Sequence, residues 1–153
     1  MPDPPGTQWL QQQTQLSQAF NAAMQELGLT PQEQFIYRHH LANLARGGVR
    51  QPNGDISTFL NITAGLGGRT YVLPTVWDNA IVSEDEAIRR ARSAGLENFP
   101  SYGSVEEAEK RYQAMHGYME RDTSAYSKRQ PPGNSNAGRV EGTEPTGPKR
   151  NDR

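Results

Sequence analysis

Apolar positions along this chain follow a helical rhythm, then a strand rhythm, then the helical one again. Between residues 8 and 27, Trp9, Leu16, Phe20, Ala23 and Leu27 recur at steps close to three and four, with a gap at Gln13. That spacing predicts a helix over 8–27, stopped by Gly28. No residue from Thr7 to Gln25 is charged, and Gln fills the polar positions. A basic membrane-surface helix has a different composition, so this one reads as a coiled-coil-like or docking helix. A second helix is predicted over 31–46. Thr30 is its N-cap, Pro31 takes the first helical position, and Glu33 closes a capping box. Tyr37, Leu41 and Leu44 share one face, and Gly47 with Gly48 ends the helix. The short link "GLT" favours antiparallel packing of the two helices.

The period then changes to two. "QPNGD" (Gln51 to Asp55) is a turn built on Asn-Gly. "ISTFLNIT" (Ile56 to Thr63) reads as a strand with Ile56, Thr58, Leu60 and Ile62 on one face, and "AGLGGR" turns the chain. "TYVLPTVW" (Thr70 to Trp77) is a second strand. Its Pro74 lacks an N–H, which places the strand at an edge or makes it fray there. Asp78-Asn79 reverses the chain into a short third strand, "AIV", and completes a small antiparallel meander. Helical spacing then returns. Ser83 caps a helix through Ala94, with Glu86 completing its box and Gly95 ending it. "LENFPSYG" reads as a loop. Ser104, with Glu107 in the reciprocal role, opens a last helix to about Arg121, on which Val105, Ala108, Tyr112, Met115 and Met119 form the most regular apolar stripe in the chain.

These elements predict an α+β fold: an N-terminal helical hairpin, a small antiparallel β-meander, two further helices and an extended C-terminal tail. The expected boundaries are 1–7 for a Pro-rich leader, 8–48 for the hairpin, 49–126 for the α+β module and 127–153 for the tail. Composition trims this picture. Only 33% of the 153 residues are hydrophobic, and mean hydropathy is −0.85, so the core is smaller than the length implies. From Ser127 onward Val140 is the only large apolar residue, too little to form a core. That tail carries six Lys and Arg against three Asp and Glu; with a net charge of −1 for the whole chain, residues 1–126 carry −4. Such a balance argues against nucleic acid as the partner.

Candidate chemistry is sparse. Cysteine is absent, which excludes disulfides, thiolate nucleophiles and sulfur-ligand zinc sites. "MPDPPGTQW" has neither the basic start nor the apolar run of a signal peptide, and no window is apolar for long enough to span a bilayer. His39 and His40 are neighbours pointing about 100° apart on a helix, and His116 lies far along the chain, so no metal site is expected. Glu84, Asp85 and Glu86 crowd a helix start, where carboxylates complement the free N–H groups. "AGLGGR" lacks the Lys-Ser/Thr of a phosphate loop, "PNGD" lacks the oxygen ladder of a calcium loop, and no Ser-His-Asp set is identifiable. Arg89, Arg90 and Arg92 sit among acids and read as a solvated face with local ion pairs. No catalytic, cofactor-binding or metal-binding residue is therefore expected. The aromatic and apolar residues Trp9, Leu16, Phe20, Trp77, Tyr102 and Tyr126 are the candidates for a partner interface, since exposed Trp and Tyr make good anchors.

The run "LTPQEQFIYRHHLANL", "GGVRQPNGDISTFLNIT", "GGRTYVLPTVWDNAIVSEDEAI" and "GLENFPSYGSVEEAEKRYQAMHGYMERDT" resembles a recurrent module of tailed-phage virion proteins. Its marks are the Asn-Gly turn, the Pro-Thr-Val strand, the Ser-x-Asp-Glu-Ala helix start and the later Ser-x-Glu-Glu-Ala helix. The match covers about residues 29–126. It departs at "WDNA", where the module usually has Asp-Gly-Lys. The resemblance implies a non-enzymatic structural or internal protein of the virion, assembled in the host cytoplasm, present in multiple copies and in contact with other virion proteins. It carries no catalytic residues and no cofactor. Two other readings stand beside it: an accessory protein in peptidoglycan degradation as the phage enters the cell, and a host-directed regulatory binder.

Overall fold

A computed structural model describes residues 7–129. Helix α1 (Thr7–Leu27) ends where Gly28 turns back, its N–H reaching the Met24 carbonyl at 3.0 Å. Helix α2 (Pro31–Ala45) starts on the predicted capping box: Glu33 N–H donates to Thr30 Oγ1 and Thr30 N–H to Glu33 Oε1, both at 3.1 Å. The two helices pack on each other, and α4 (Val105–Arg129) packs against both. Leu16, Ala19, Phe20, Ala23, Met24 and Leu27 are the α1 residues on the core. Ahead of them, Leu10 is 58% exposed.

The strands are shorter and differently connected than the meander predicts. A two-residue pair, β1 (Val49–Arg50) with β2 (Ile56–Ser57), brackets the Asn-Gly turn. Strand β3 (Asn61–Leu66) pairs with β4 (Arg69–Pro74), and β5 (Val76–Trp77) with β6 (Ala80–Ile81). The predicted strand from Ile56 to Thr63 is broken at 58–60. Thr58 and Phe59 are both buried there and Leu60 is exposed, so the predicted alternation of faces fails. The break follows from bonding: the Thr58 carbonyl accepts from Asn43 of α2, and the Leu60 carbonyl accepts the N–H and hydroxyl of Thr75. The predicted turn "AGLGGR" narrows to Gly67-Gly68, both with positive φ (60° and 82°), the type I′ geometry that matches strand twist. Asp78 and Asn79 likewise sit at φ 53° and 62°, so the "WDNA" turn forms with two non-glycine residues in the left-handed region.

Two further findings concern β4. It is not an edge strand, because Ser101–Tyr102, inside the segment read as a loop, forms β7 and pairs with Thr70 and Tyr71 to give the order β3-β4-β7. The other alternative holds: the predicted strand breaks at Pro74, the last residue of β4, where the β7 ladder has already ended at Val72 N–H to the Pro100 carbonyl.

Helix α3 (Glu84–Ala94) buries Ala87 and Ala91, and a 3-10 turn at Leu96–Asn98 leads to the buried Phe99. Ser83 caps α3 as predicted, but Glu86 does not return a bond to the cap; its carboxylate binds Arg89 and Arg90. At α4, Glu107 accepts from Gly103 N–H, one residue before the predicted partner. Val105 is 52% exposed, whereas Ala108, Tyr112, Met115 and Met119 are buried. The helix continues eight residues past the predicted end at Arg121, so 127–129 of the expected tail are helical. The leader at 1–6 and the tail from 130 lie outside the described residues.

Candidate functional site

Two buried polar clusters join α2 to the rest of the fold. The first centres on Glu33, which is 1% exposed. Besides the cap, its Oε1 accepts Arg111 Nη2 at 2.7 Å, and its Oε2 accepts Arg111 Nε at 2.9 Å and the Tyr102 hydroxyl at 2.7 Å. Arg111 Nη2 also donates to the Leu27 carbonyl at 3.2 Å, where the end of α1 favours a cation. Burial pushes the Glu33 carboxyl up, but the bonds from Arg111, Tyr102 and the Thr30 N–H outweigh it and hold the group below the usual carboxylate range. Burial and the Glu33 carboxylate together push the Tyr102 hydroxyl well above its ordinary value.

The second cluster runs Thr58, His40, Asp122, Tyr37. A carboxylate only accepts, so the Tyr37 hydroxyl and His40 Nε2–H (3.3 Å) both donate to Asp122 Oδ2. That fixes the imidazole tautomer: Nδ1 is bare and accepts the Thr58 hydroxyl at 2.5 Å. Burial lowers the His40 pKa, with Asp122 opposing it, and burial raises that of Tyr37. His39, on the next face of α2, donates from Nε2 to the Val76 carbonyl at 2.7 Å, and Asn43 reaches the same carbonyl at 3.2 Å. Burial also depresses the His39 pKa.

Chemically, the Thr58–His40–Asp122 order resembles a hydroxyl–base–acid relay that was not visible in the sequence. Thr58 borders a groove of about 790 Å³ between the β1–β2 hairpin and α4, with Leu60, His116, Met119 and Glu120 on its walls. Yet Thr58 is 4% exposed and His40 is wholly buried, so every member of the relay is sealed by packing. A sequence signal for both clusters did exist. The α4 stripe continues at the same spacing through Asp122 to Tyr126, and His40 falls on the α2 stripe between Tyr37 and Leu44. A polar residue at a stripe position marks a buried polar group.

The six predicted interface residues are divided by the structure. Tyr102 and Tyr126, 7% and 5% exposed, belong to the core, so neither presents a face to a partner. This corrects their reading as interface candidates: Tyr102 is drawn inward by Glu33, and Tyr126 by the extension of the α4 stripe. Trp77 is half-buried, its ring 4.7 Å from that of His39 and its Nε1–H donating to the Pro74 carbonyl. Phe20 is half-buried under the Arg38 guanidinium at 4.6 Å. Leu16 is half-buried and shared by two grooves flanking α1, of about 590 Å³ toward α2 and 230 Å³ toward α4. Trp9 lies on α1, in its first turn. At α3, Arg90 bonds both Glu86 and Asp78 at 2.7–2.8 Å, the local ion pairing expected of that face.

Among the described residues no group of three or more His, Asp or Glu is placed to hold a metal ion, and no helix is long and apolar enough to cross a membrane. Comparison of this chain with family models, with curated proteins and with solved structures found no match.

Proposed function

We propose that this chain is a non-enzymatic interaction component of a tailed-phage virion, binding neighbouring subunits through its N-terminal helix, its sheet edge and its tails. The observation that carries this reading is how α1 is used. It is uncharged from Thr7 to Gln25, and Leu10, 58% exposed, Gln11, Gln13 and Thr14 face solvent. An uncharged helix of Gln with apolar residues, one of them exposed, fits a groove or a helix on another chain. The resemblance of residues 29–126 to the phage module supplies the kind of particle. Many copies make individually weak contacts add up. The test is quantitative mass spectrometry of purified particles from the phage that encodes the chain. The reading expects the protein at a fixed, multi-copy ratio to the major structural proteins; particles lacking it refute the proposal.

The groove bordered by Thr58 favours one second reading, an accessory role in peptidoglycan degradation. A zymogram with the purified chain decides it: clearing that disappears in Thr58→Val supports it, and no clearing removes it.

A further inference from the structure

Of the two edge strands in the order β3-β4-β7, β3 is the longer, six residues against two, and its geometry fixes a partner. In a two-residue hairpin the flanking residues exchange both main-chain bonds, so Leu66 and Arg69 are a bonded pair, and alternation makes Ala64–Tyr71 and Ile62–Leu73 the next ones. The N–H and C=O groups of Asn61, Thr63 and Gly65 therefore point away from β4. An independent bond agrees: Val72, opposite Thr63, sends its N–H to Pro100 on the far side. Among the described residues nothing bonds the outward main-chain groups of Asn61, Thr63 and Gly65. Natural edges of this length are guarded by Lys, by Pro, by inward charges or by a bulge. "NITAGL" has none of these, and its pairing with β4 is continuous.

We propose that β3 pairs antiparallel with β3 of a second copy of this chain about a two-fold axis at Thr63. Register follows from which groups face outward. Thr63 bonds Thr63 of the other copy, and Asn61 bonds Gly65, so three outward residues per chain satisfy one another fully. Ile62 falls opposite Ala64 in the intervening positions. The result is a six-stranded sheet in the order β7-β4-β3-β3-β4-β7. Three features favour a second copy over another occupant. The edge is self-complementary in length and register, it carries no charge to repel its twin, and a Cβ placed at Gly65 meets nothing within 4 Å, so Asn61 of the other copy has room. Residues 130–153 are a poor competitor: they are rich in Pro and Gly, with Val140 the only large apolar residue. A two-fold contact also closes on itself and does not propagate into fibres. This deepens the reading above, resting on it only for the sheet edge as a contact surface.

The test is sedimentation velocity of the full chain over a concentration series. A small edge contact predicts a weak, reversible dimer. Thr63→Pro removes an N–H that β4 does not use, and is expected to weaken the dimer at least about tenfold with little change in melting temperature. A charge swap keeps the proposal testable if the Pro variant does not fold. Thr63→Glu and Thr63→Lys should each be monomeric, and an equimolar mixture should dimerise, because like charges would sit directly opposite in the homodimers and unlike charges in the mixed pair. A wild-type chain that stays monomeric at millimolar concentration, a dimer that Thr63→Glu leaves intact, or a dimer seen only after residues 130–153 are deleted overturns it. Detection of the chain in particles does not depend on these results, so the two proposals fail separately.

Discussion

Replacing Glu33 by Gln tests whether the fold is held by the polar seam between α2 and α4. The carboxylate receives four bonds: the Thr30 N–H, two from Arg111 and the Tyr102 hydroxyl. Gln keeps the size and one acceptor oxygen. Its amide nitrogen must then face either Arg111 Nε–H with Tyr102, or Arg111 Nη2 with the cap. Tyr102 can rotate and accept, but an arginine N–H against an amide N–H cannot be repaired. At least one charged bond is lost outright and the ion pair disappears. A hydrogen bond to a charged group contributes about 1.5–3 kcal/mol. The Arg111 side chain is 31% exposed, so water recovers part of its loss. A net cost of about 2–3 kcal/mol follows, equivalent to a fall in Tm of about 8–12 °C for a domain of this size. Thermal and urea unfolding of both proteins at pH 7 measures it. Acid supplies an internal check. The folded pKa of Glu33 is depressed, so its stabilisation is present above about pH 4.5, the unfolded value, and is lost as pH falls through the folded value. The wild-type and Glu33→Gln curves should converge in acid. A difference at pH 7 below about 0.5 kcal/mol refutes the seam as a stabilising element, as does a normal cost that persists undiminished in acid.

The depressed histidines predict a second pH dependence. For His39 and His40 the neutral form is the folded one, so their stabilisation is present above about pH 6.5 and declines as pH falls toward the lowered folded values. Unfolding free energy measured between pH 7 and 5 should fall, and His39→Gln, which keeps a donor for the Val76 carbonyl, should make that fall shallower. Trp77→Ala loses ring contacts with His39 and the bond to Pro74 but not a fully buried side chain, so we expect about 2–3 kcal/mol by urea titration, below the range for a core Trp. An unchanged midpoint would mean that the ring does not hold the β5–β6 hairpin against α2.

Local chemistry was the legible part of this fold. Thr30, Pro31 and Glu33 announced α2, Ser83 announced α3, and Asp78-Asn79 announced its turn, because each acts on backbone groups within four residues. The stripe from Ala108 to Met119 was legible for the same reason. What stayed hidden depends on distant partners. Ser101 and Tyr102 have no strand pattern of their own, and β7 exists only because β4 offers an edge. The break at 58–60 is imposed by Asn43 and Thr75, 15 residues or so away on either side. Glu33 was readable as a cap, but its second role needs Arg111, 78 residues distant. Asp122 was passed over because a charged residue on a long helix is normally solvated, although its position on the Met115–Met119–Tyr126 stripe marks it as buried. Aromatic residues gave no sign of which way they face, and two of the six interface candidates turned inward.

The central proposal is that the N-terminal half of α1 contacts another virion chain. Its most direct test is photo-crosslinking in assembled particles, with Leu10→benzoylphenylalanine compared against Gln113→benzoylphenylalanine on the exposed face of α4. The account predicts a single crosslinked virion protein from position 10, identified by mass spectrometry, and none in common from position 113. Particles in which position 10 yields no crosslink, or only the same products as position 113, would contradict it.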